Sequence, residues 1–216
     1  ELQQNFPKGL DRKDIQQVFF YGAGCSSNEK CLFIKDELRQ FFKDAQIEVK
    51  DDLIAAAMAL FHNERGIALI VGTGSNTGFY DGEKIVRKTQ SLGFILGDEG
   101  SGAHLGKMLL TNFLHHELPL EIENILIKEY HLTKDAIIKA VYGERFPNRY
   151  LASFTRFIDQ NCEHPYIDKL IEKSFTALFE KHICSYKNYQ NLSIRATGSV
   201  AYVFEKQLKK LATKNQ

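Results

Sequence analysis

The sequence predicts an α/β layer fold, and three features carry that expectation. Strand-like and helix-like runs alternate from Gln17 onward. Gly66–Gly72 (GIALIVG) is an almost wholly apolar strand, as expected where helices cover both faces. A strand, then a glycine turn, then a helix recurs in both halves of the chain, with no tandem repeat.

The elements follow in order. Gln17–Tyr21 (QVFFY) reads as a strand running into Gly22-Ala23-Gly24. Ser26 with Glu29 forms a capping box. Cys31, Ile34, Leu38 and Phe41 then recur at helical spacing. Ile47–Lys50 is a short alternating strand ending at Asp51 and Asp52. Leu53–Phe61 (LIAAAMALF) is a buried, alanine-rich helix opened by those acids. After Gly66–Gly72 comes the turn Gly72-Thr73-Gly74-Ser75-Asn76, then Thr77–Tyr80, Asp81-Gly82 and Lys84–Thr89. An Asp-Gly between β-prone runs signals a hairpin. Ser91–Gly102 (SLGFILGDEGSG) leads into a helix with Leu105, Met108, Leu109 and Phe113 on one face. Residues 117–160 read as shorter helices broken near Pro119 and Pro147. A long helix starts at Pro165, a favoured first-turn residue, with Ile167, Ile171, Phe175, Leu178 and His182 on its face. Leu192–Ala196 is a short strand, Thr197-Gly198-Ser199 a turn, and Val200–Leu211 an amphipathic helix.

Composition limits the function. The chain has 216 residues, 44% hydrophobic and 25% charged, with 16 Phe, 9 Tyr and no Trp, which suffices for a sizeable core in one or two domains. Lys and Arg number 28 against 27 Asp and Glu, a balance that argues against a broad nucleic-acid surface. The longest apolar run, Leu53–Phe61, is far short of the roughly 20 residues that cross a bilayer. Cys25, Cys31, Cys162 and Cys184 are too sparse for a disulfide framework and form no CxxC or CxxH pair. The reading is a reduced, soluble, cytoplasmic protein. The sequence opens on Glu1 in what reads as a helix tail and stops just past a helix, so it is expected to be part of a longer protein.

The glycine turns carry two readings that stay open. Glycine after a strand supplies unusual backbone angles. A Gly-Thr-Gly-Ser turn also presents amide groups and hydroxyls as a nest for an anion, and Thr197-Gly198-Ser199, opening a helix, is a second anion or nucleotide site. One of Asp51 and Asp52 is expected to cap its helix; the other stands at a strand's carboxyl end, where ligands bind in open α/β sheets. Asp98 and Glu99 lie between glycines, placed to bond sugar hydroxyls or metal-bound water. His115 and His116 read as a helix-end feature, and His62 and His104 as surface or turn residues.

Taken together, GTGSN at Gly72–Asn76, GDEGSG within Ser91–Gly102 and TGSVA at Thr197–Ala201 resemble the N-acetylglucosamine kinase family, which belongs with the BadF/BadG/BcrA/BcrD-type ATPases in the sugar kinase, heat-shock protein and actin superfamily. The resemblance covers nearly the whole chain. It implies an actin-like (ribonuclease H-like) two-domain ATPase fold with mixed, five-stranded sheets and flanking helices. Residues 1–64 would be the remainder of an N-terminal domain, and 65–216 a C-terminal domain with a helical insertion at about 117–160. ATP and Mg²⁺ would bind between the domains, the metal through water and phosphate with no direct protein ligand. Asp52 matches the catalytic base. Gly72, Thr73 and Gly74 match a phosphate hairpin, and Gly198 and Ser199 the adenosine motif. Asn76 and Asp98, with Glu99 beside them, match the sugar-holding segment. The implied reaction is ATP-dependent phosphoryl transfer to a hydroxyl of an amino sugar, N-acetylglucosamine first. The partner is thus a small sugar, with neither nucleic acid nor membrane, and homodimerisation is compatible. Alternatives are a BadF-type ATPase activating a partner enzyme, with Cys25 and Cys31 its only close cysteine pair, and a non-catalytic sugar sensor. The sequence departs from the family in lacking a DxGxT hairpin and the final helix, both expected outside these residues. Leu92 stands where mammalian relatives carry a sugar-contacting tryptophan.

Overall fold

Strand β1 (Gln17–Gly22) pairs in parallel with β2 (Gln46–Asp51), from Gln17 opposite Gln46 to Gly22 opposite Asp51. Parallel neighbours need a crossover, and helix α1 (Asn28–Phe41) supplies it. The pair belongs to the first of two units, Glu1–Ala56 and Ala57–Gln216, of the computed structural model, which describes residues 6–25 and 27–215. The helix tail expected at the start falls on residues 1–5, outside the described residues. So does the Ser26 cap; α1 is capped by Ser27, whose Oγ accepts from the Lys30 amide at 3.4 Å. Leu38 and Ile34 on α1 pack with Phe42, Ile47, Val18 and Val49 into a small core.

Helix α2 (Asp52–Phe61) carries the boundary between the units. Leu53, Ala57 and Phe61, spaced by four, form its buried stripe.

The second unit is built on a mixed sheet in the order β5-β4-β3-β6. Strand β3 (Gly66–Val71) pairs antiparallel with β4 (Ser75–Tyr80) and parallel with β6 (Ile194–Thr197). β5 (Ile85–Lys88) extends the β4 side. All of β3 is buried except half-buried Ile70, as the apolar run predicts. The Asp-Gly hairpin forms with a four-residue loop: Asp81 Oδ1 accepts from the Glu83 and Lys84 amides, both at 2.9 Å.

Helices α3 (Gly93–Leu96), α4 (Gly102–Leu114), α5 (Leu120–Tyr130), α6 (Lys134–Tyr142), α7 (Pro147–Ser153), α8 (Thr155–Gln160) and α9 (Pro165–Leu178) follow β5. Pro119 and Pro147 sit at the starts of α5 and α7, where a missing N–H costs nothing. Leu105, Leu109 and Phe113 of α4 and Ile167, Ile171, Phe175 and Leu178 of α9 join one core with Val71 and Phe157. The long helix is shorter than its apolar stripe suggests. It stops at Leu178 and continues as one π turn, Phe179–Ile183, closed by the Cys184 amide on the Phe179 carbonyl at 2.8 Å. The C-terminal helix is likewise two pieces, α10 (Ser199–Val203) and α11 (Glu205–Asn215). They break at fully buried Phe204, whose ring packs edge-on to Phe175 with centroids 6.0 Å apart. No helix among the described residues is long and apolar enough to cross a membrane.

Candidate functional site

The turn between β3 and β4 is closed by the Gly72 amide donating to the Gly74 carbonyl at 2.9 Å. The first turn of α4 packs on it: the Gly102 amide donates to Gly72 O at 2.8 Å, and Ala103 to Thr73 O at 3.1 Å. The two bonds from α4 consume acceptors of the turn; with the Gly72 amide on Gly74 O and the Ser75 amide on Asp98, the Thr73 and Gly74 amides are what remain for an anion. The arrangement needs glycine at 102. A Cβ there would lie 2.8 Å from Thr155 Oγ1 and 3.4 Å from Gly72 O.

Asp98 closes over the other side of the turn. Its Oδ2 is 2.9 Å from where a Gly74 Cβ would stand, and its carboxylate accepts from the Ser75 backbone amide. Burial pushes the Asp98 carboxyl up; the Ser75 amide opposes this, and the Glu99 charge adds to it. Asp98 holds left-handed backbone, φ +57°, which Asp tolerates better than most residues. It does not cap α4. Ser101 does, accepting from the His104 amide at 3.1 Å. Asn76 lies one residue along β4 from Ser75, hence on the opposite face of the sheet. Its Oδ1 is buried and, among the described residues, is the buried side-chain polar atom with no hydrogen-bond partner.

Glu99 is 5% exposed and fully engaged. Its Oε1 meets Lys181 Nζ at 2.7 Å and its Oε2 meets His182 Nε2 at 2.9 Å. Burial alone would raise this carboxyl; hydrogen bonds from Lys181 and His182 overcome it and bring it down to about 2. The network runs on: His182 Nδ1 lies 3.0 Å from Thr89 Oγ1, Thr89 Oγ1 2.7 Å from Thr77 Oγ1, and Thr77 Oγ1 3.0 Å from Tyr186 OH. His104, expected at the surface, is half-buried instead. Its Nδ1 lies 2.7 Å from Ser174 Oγ, and burial lowers its pKa to about 4.

The third turn joins the first. Gly198 has φ +110°, and a Cβ on it would overlap the Val71 carbonyl, so the turn before α10 runs directly against the end of β3. Ser199 then shares a cavity of about 310 Å³ with Gly72, Thr73, Thr155, Arg156 and Asp159. A larger cavity, about 550 Å³, lies along β1, β2 and α1 in the first unit and touches none of the glycine turns; chemistry, not volume, marks the candidate site.

In the first unit, Asp51 Oδ1 accepts from the Leu53 amide at 2.9 Å. Asp51 is therefore the capping acid, and Asp52 is the first residue of α2. Cys25 is buried, and the Cys31 thiol donates to the Cys25 carbonyl at 3.4 Å.

The second unit thus gathers Gly72, Thr73 and Ser199 at one cavity, and Asp98 and Glu99 beside the same turn. Sequence reasoning missed four residues there. His182 stood out only as the one polar member of an apolar stripe. Lys181, Arg156 and Asp159 carried no signal, being ordinary charged residues of helical segments.

Solved structures similar to this chain include a candidate N-acetylglucosamine kinase from Porphyromonas gingivalis, 37% identical, with TM-score 0.89, over 96% of this chain and 73% of that one. A candidate N-acetylglucosamine kinase from Chromobacterium violaceum matches at TM-score 0.60 and 16% identity, over 82% of this chain and 66% of that one. A candidate N-acetylmannosamine kinase from Listeria monocytogenes matches at TM-score 0.54 and 14% identity, over all of this chain and 74% of that one. At these lower identities the likeness is one of fold. No family model and no curated protein matches the chain.

Proposed function

The chain belongs to the sugar kinase family of the Porphyromonas gingivalis protein, and from that premise we propose that it transfers the γ-phosphoryl group of ATP to a hydroxyl of an N-acetylated amino sugar, N-acetylglucosamine first. One observation carries this reading: two glycine turns more than 100 residues apart open on one cavity that also holds Arg156, a guanidinium suited to phosphate. The proposed fold is the actin-like one, with residues 1–64 and 65–216 as its two domains.

The roles follow from chemistry. The Gly72–Gly74 turn, through its Thr73 and Gly74 amides, and Arg156 would bind phosphate oxygens, and Gly198 and Ser199 would hold the nucleoside end. Asp98 and Asn76 would orient the sugar, the Asn76 carbonyl gaining the donor it lacks. Glu99, its oxygens already taken by Lys181 and His182, would act by supporting Asp98. Asp52 would accept the proton of the sugar hydroxyl as its oxygen bonds to the γ-phosphorus. The bond from that phosphorus to the bridging oxygen breaks, and ADP carries away the electron pair. Such transfer depends on positioning and charge more than on base strength.

Among the described residues no three His, Cys, Asp or Glu side chains form a metal cage, while Asp159 offers a carboxylate at the cavity. That donor set suits Mg²⁺, which keeps waters and rides on phosphates. Bound there, Mg²⁺ would neutralise phosphate charge, with Asp159 holding it through water.

The test is ADP release by the full-length protein with Mg-ATP and, in turn, N-acetylglucosamine, N-acetylmannosamine, glucosamine and glucose. Sugar-dependent release strongest with an N-acetylated sugar is expected. ATP consumption indifferent to every sugar would overturn the reading.

A further inference from the structure

The Glu99 network occupies a place that packing alone does not explain. Replacing a whole buried ion pair by apolar residues is often neutral for stability, yet here Lys181 and His182 both bond the carboxylate beside Asp98, and a chain through Thr89, Thr77 and Tyr186 backs His182. Both Glu99 oxygens are bonded, and its backbone carbonyl accepts from Ser75 Oγ at 2.8 Å. The Ser101 amide donates to the Asp98 carbonyl at 3.0 Å. Asp98 is thus held from both sides in a left-handed conformation, φ +57°, its carboxylate against Gly74 and on the Ser75 amide. Left-handed backbone outside glycine persists where the surroundings over-determine it, and such strain gathers at ligand sites.

The anchor is His182. Tyr186 OH accepts from the Thr89 amide at 3.2 Å, and the hydroxyls of Tyr186, Thr77 and Thr89 run in a chain to His182 Nδ1. The far side of the ring meets the Glu99 carboxylate, an acceptor, so Nε2–H donates there. The π turn brings His182 to this point: a continued α-helix would place it on the stripe of Leu178 and Phe175.

We propose that His182, with Lys181, is a positioning residue for the sugar: it fixes Glu99, and through Glu99 the backbone that aims the Asp98 carboxylate. This rests on the reading of Asp98 as a sugar ligand. His182 itself touches no substrate. Releasing it lets Asp98 leave its left-handed conformation, so sugar binding weakens while the nucleotide turns, held by α4 and β3, stay in place.

The experiment measures sugar KM, Mg-ATP KM, kcat and melting temperature for the full-length protein and for His182→Leu, His182→Gln and Lys181→Met. His182→Leu should raise the sugar KM about tenfold or more, with Mg-ATP KM and kcat within about threefold, the pattern of lost sugar binding. His182→Gln, whose amide can still donate to Glu99, should recover most of the loss. Lys181→Met changes a side chain 63% exposed and so folds safely; it should raise the sugar KM about threefold, as for one partly screened pair. A lower melting temperature with unchanged sugar KM in His182→Leu overturns the proposal, as does a Gln variant no better than Leu. If His182→Leu does not fold, unchanged sugar KM in Lys181→Met overturns it. Sugar-independent ATP use by the wild type removes the sugar reading itself, whereas an active wild type with indifferent variants removes only the positioning role.

Discussion

Replacing Glu99 by Gln isolates the charge at the centre of the buried network. Its carboxyl, ordinarily near 4.5, is brought to about 2 by Lys181 and His182 against the opposing effect of burial. A folded-state value below the unfolded one stabilises the fold above pH 4.5, and the contribution is lost as pH falls toward 2. At about 1.4 kcal/mol per pH unit, the gap is worth about 3 kcal/mol near pH 6. The isosteric amide keeps one acceptor but turns an N–H₂ toward a side chain that also donates, so most of that stabilisation should vanish, in keeping with the roughly 3–5 kcal/mol lost when a buried ion pair is broken. Urea unfolding of wild type and Glu99→Gln between pH 3 and pH 6 measures it. The wild-type advantage should be about 3 kcal/mol at pH 6 and fall below half of that by pH 3. An advantage under about 1 kcal/mol at pH 6, or one that does not change with pH, would refute the reasoning, because it would mean that Glu99 gains nothing from its partners as an anion.

Asp52→Asn should lower kcat by about 10²–10⁴ with both KM values little changed, whereas Asp51→Ala, which loses the Leu53 cap, should keep turnover and lose about 1 kcal/mol of stability; steady-state kinetics and melting curves on both decide, and the reverse pattern would move the base by one residue. Asp98→Asn, an exchange that tolerates left-handed backbone, should raise the sugar KM about tenfold by removing charge-assisted bonds worth roughly 1.5–3 kcal/mol each, and leave the Mg-ATP KM alone; an unchanged sugar KM would refute its role. Gly106→Ala sets two effects against each other: alanine gains about 1 kcal/mol in helix propensity, but its Cβ would overlap the Leu151 carbonyl oxygen and lie 2.7 Å from the carbonyl carbon. Backbone cannot rotate away, so overpacking should win and destabilise the fold by about 1–3 kcal/mol in denaturant melts.

The sequence by itself determined what short-range rules decide. The order of strands and helices, the apolar stripe of α9, the proline starts of α5 and α7 and the hairpin at Asp81 follow from periodicity and backbone sterics acting over a few residues. So did the glycine turns and the acids beside them, because each is a local pattern. What only tertiary structure decided involves partners distant along the chain. Glu99 and His182 are 83 residues apart, and no spacing rule joins them. Their meeting depends on α4 docking on the Gly72 turn and on a π turn that no local pattern announces. The break at Phe204 and the arrival of Arg156 beside Ser199 have the same origin: a side chain turned into a core or cavity built by other segments. Even the division of labour between Asp51 and Asp52, adjacent and chemically identical, waited on which residue ended the strand and which began the helix, since a cap is defined by backbone geometry and not by residue type.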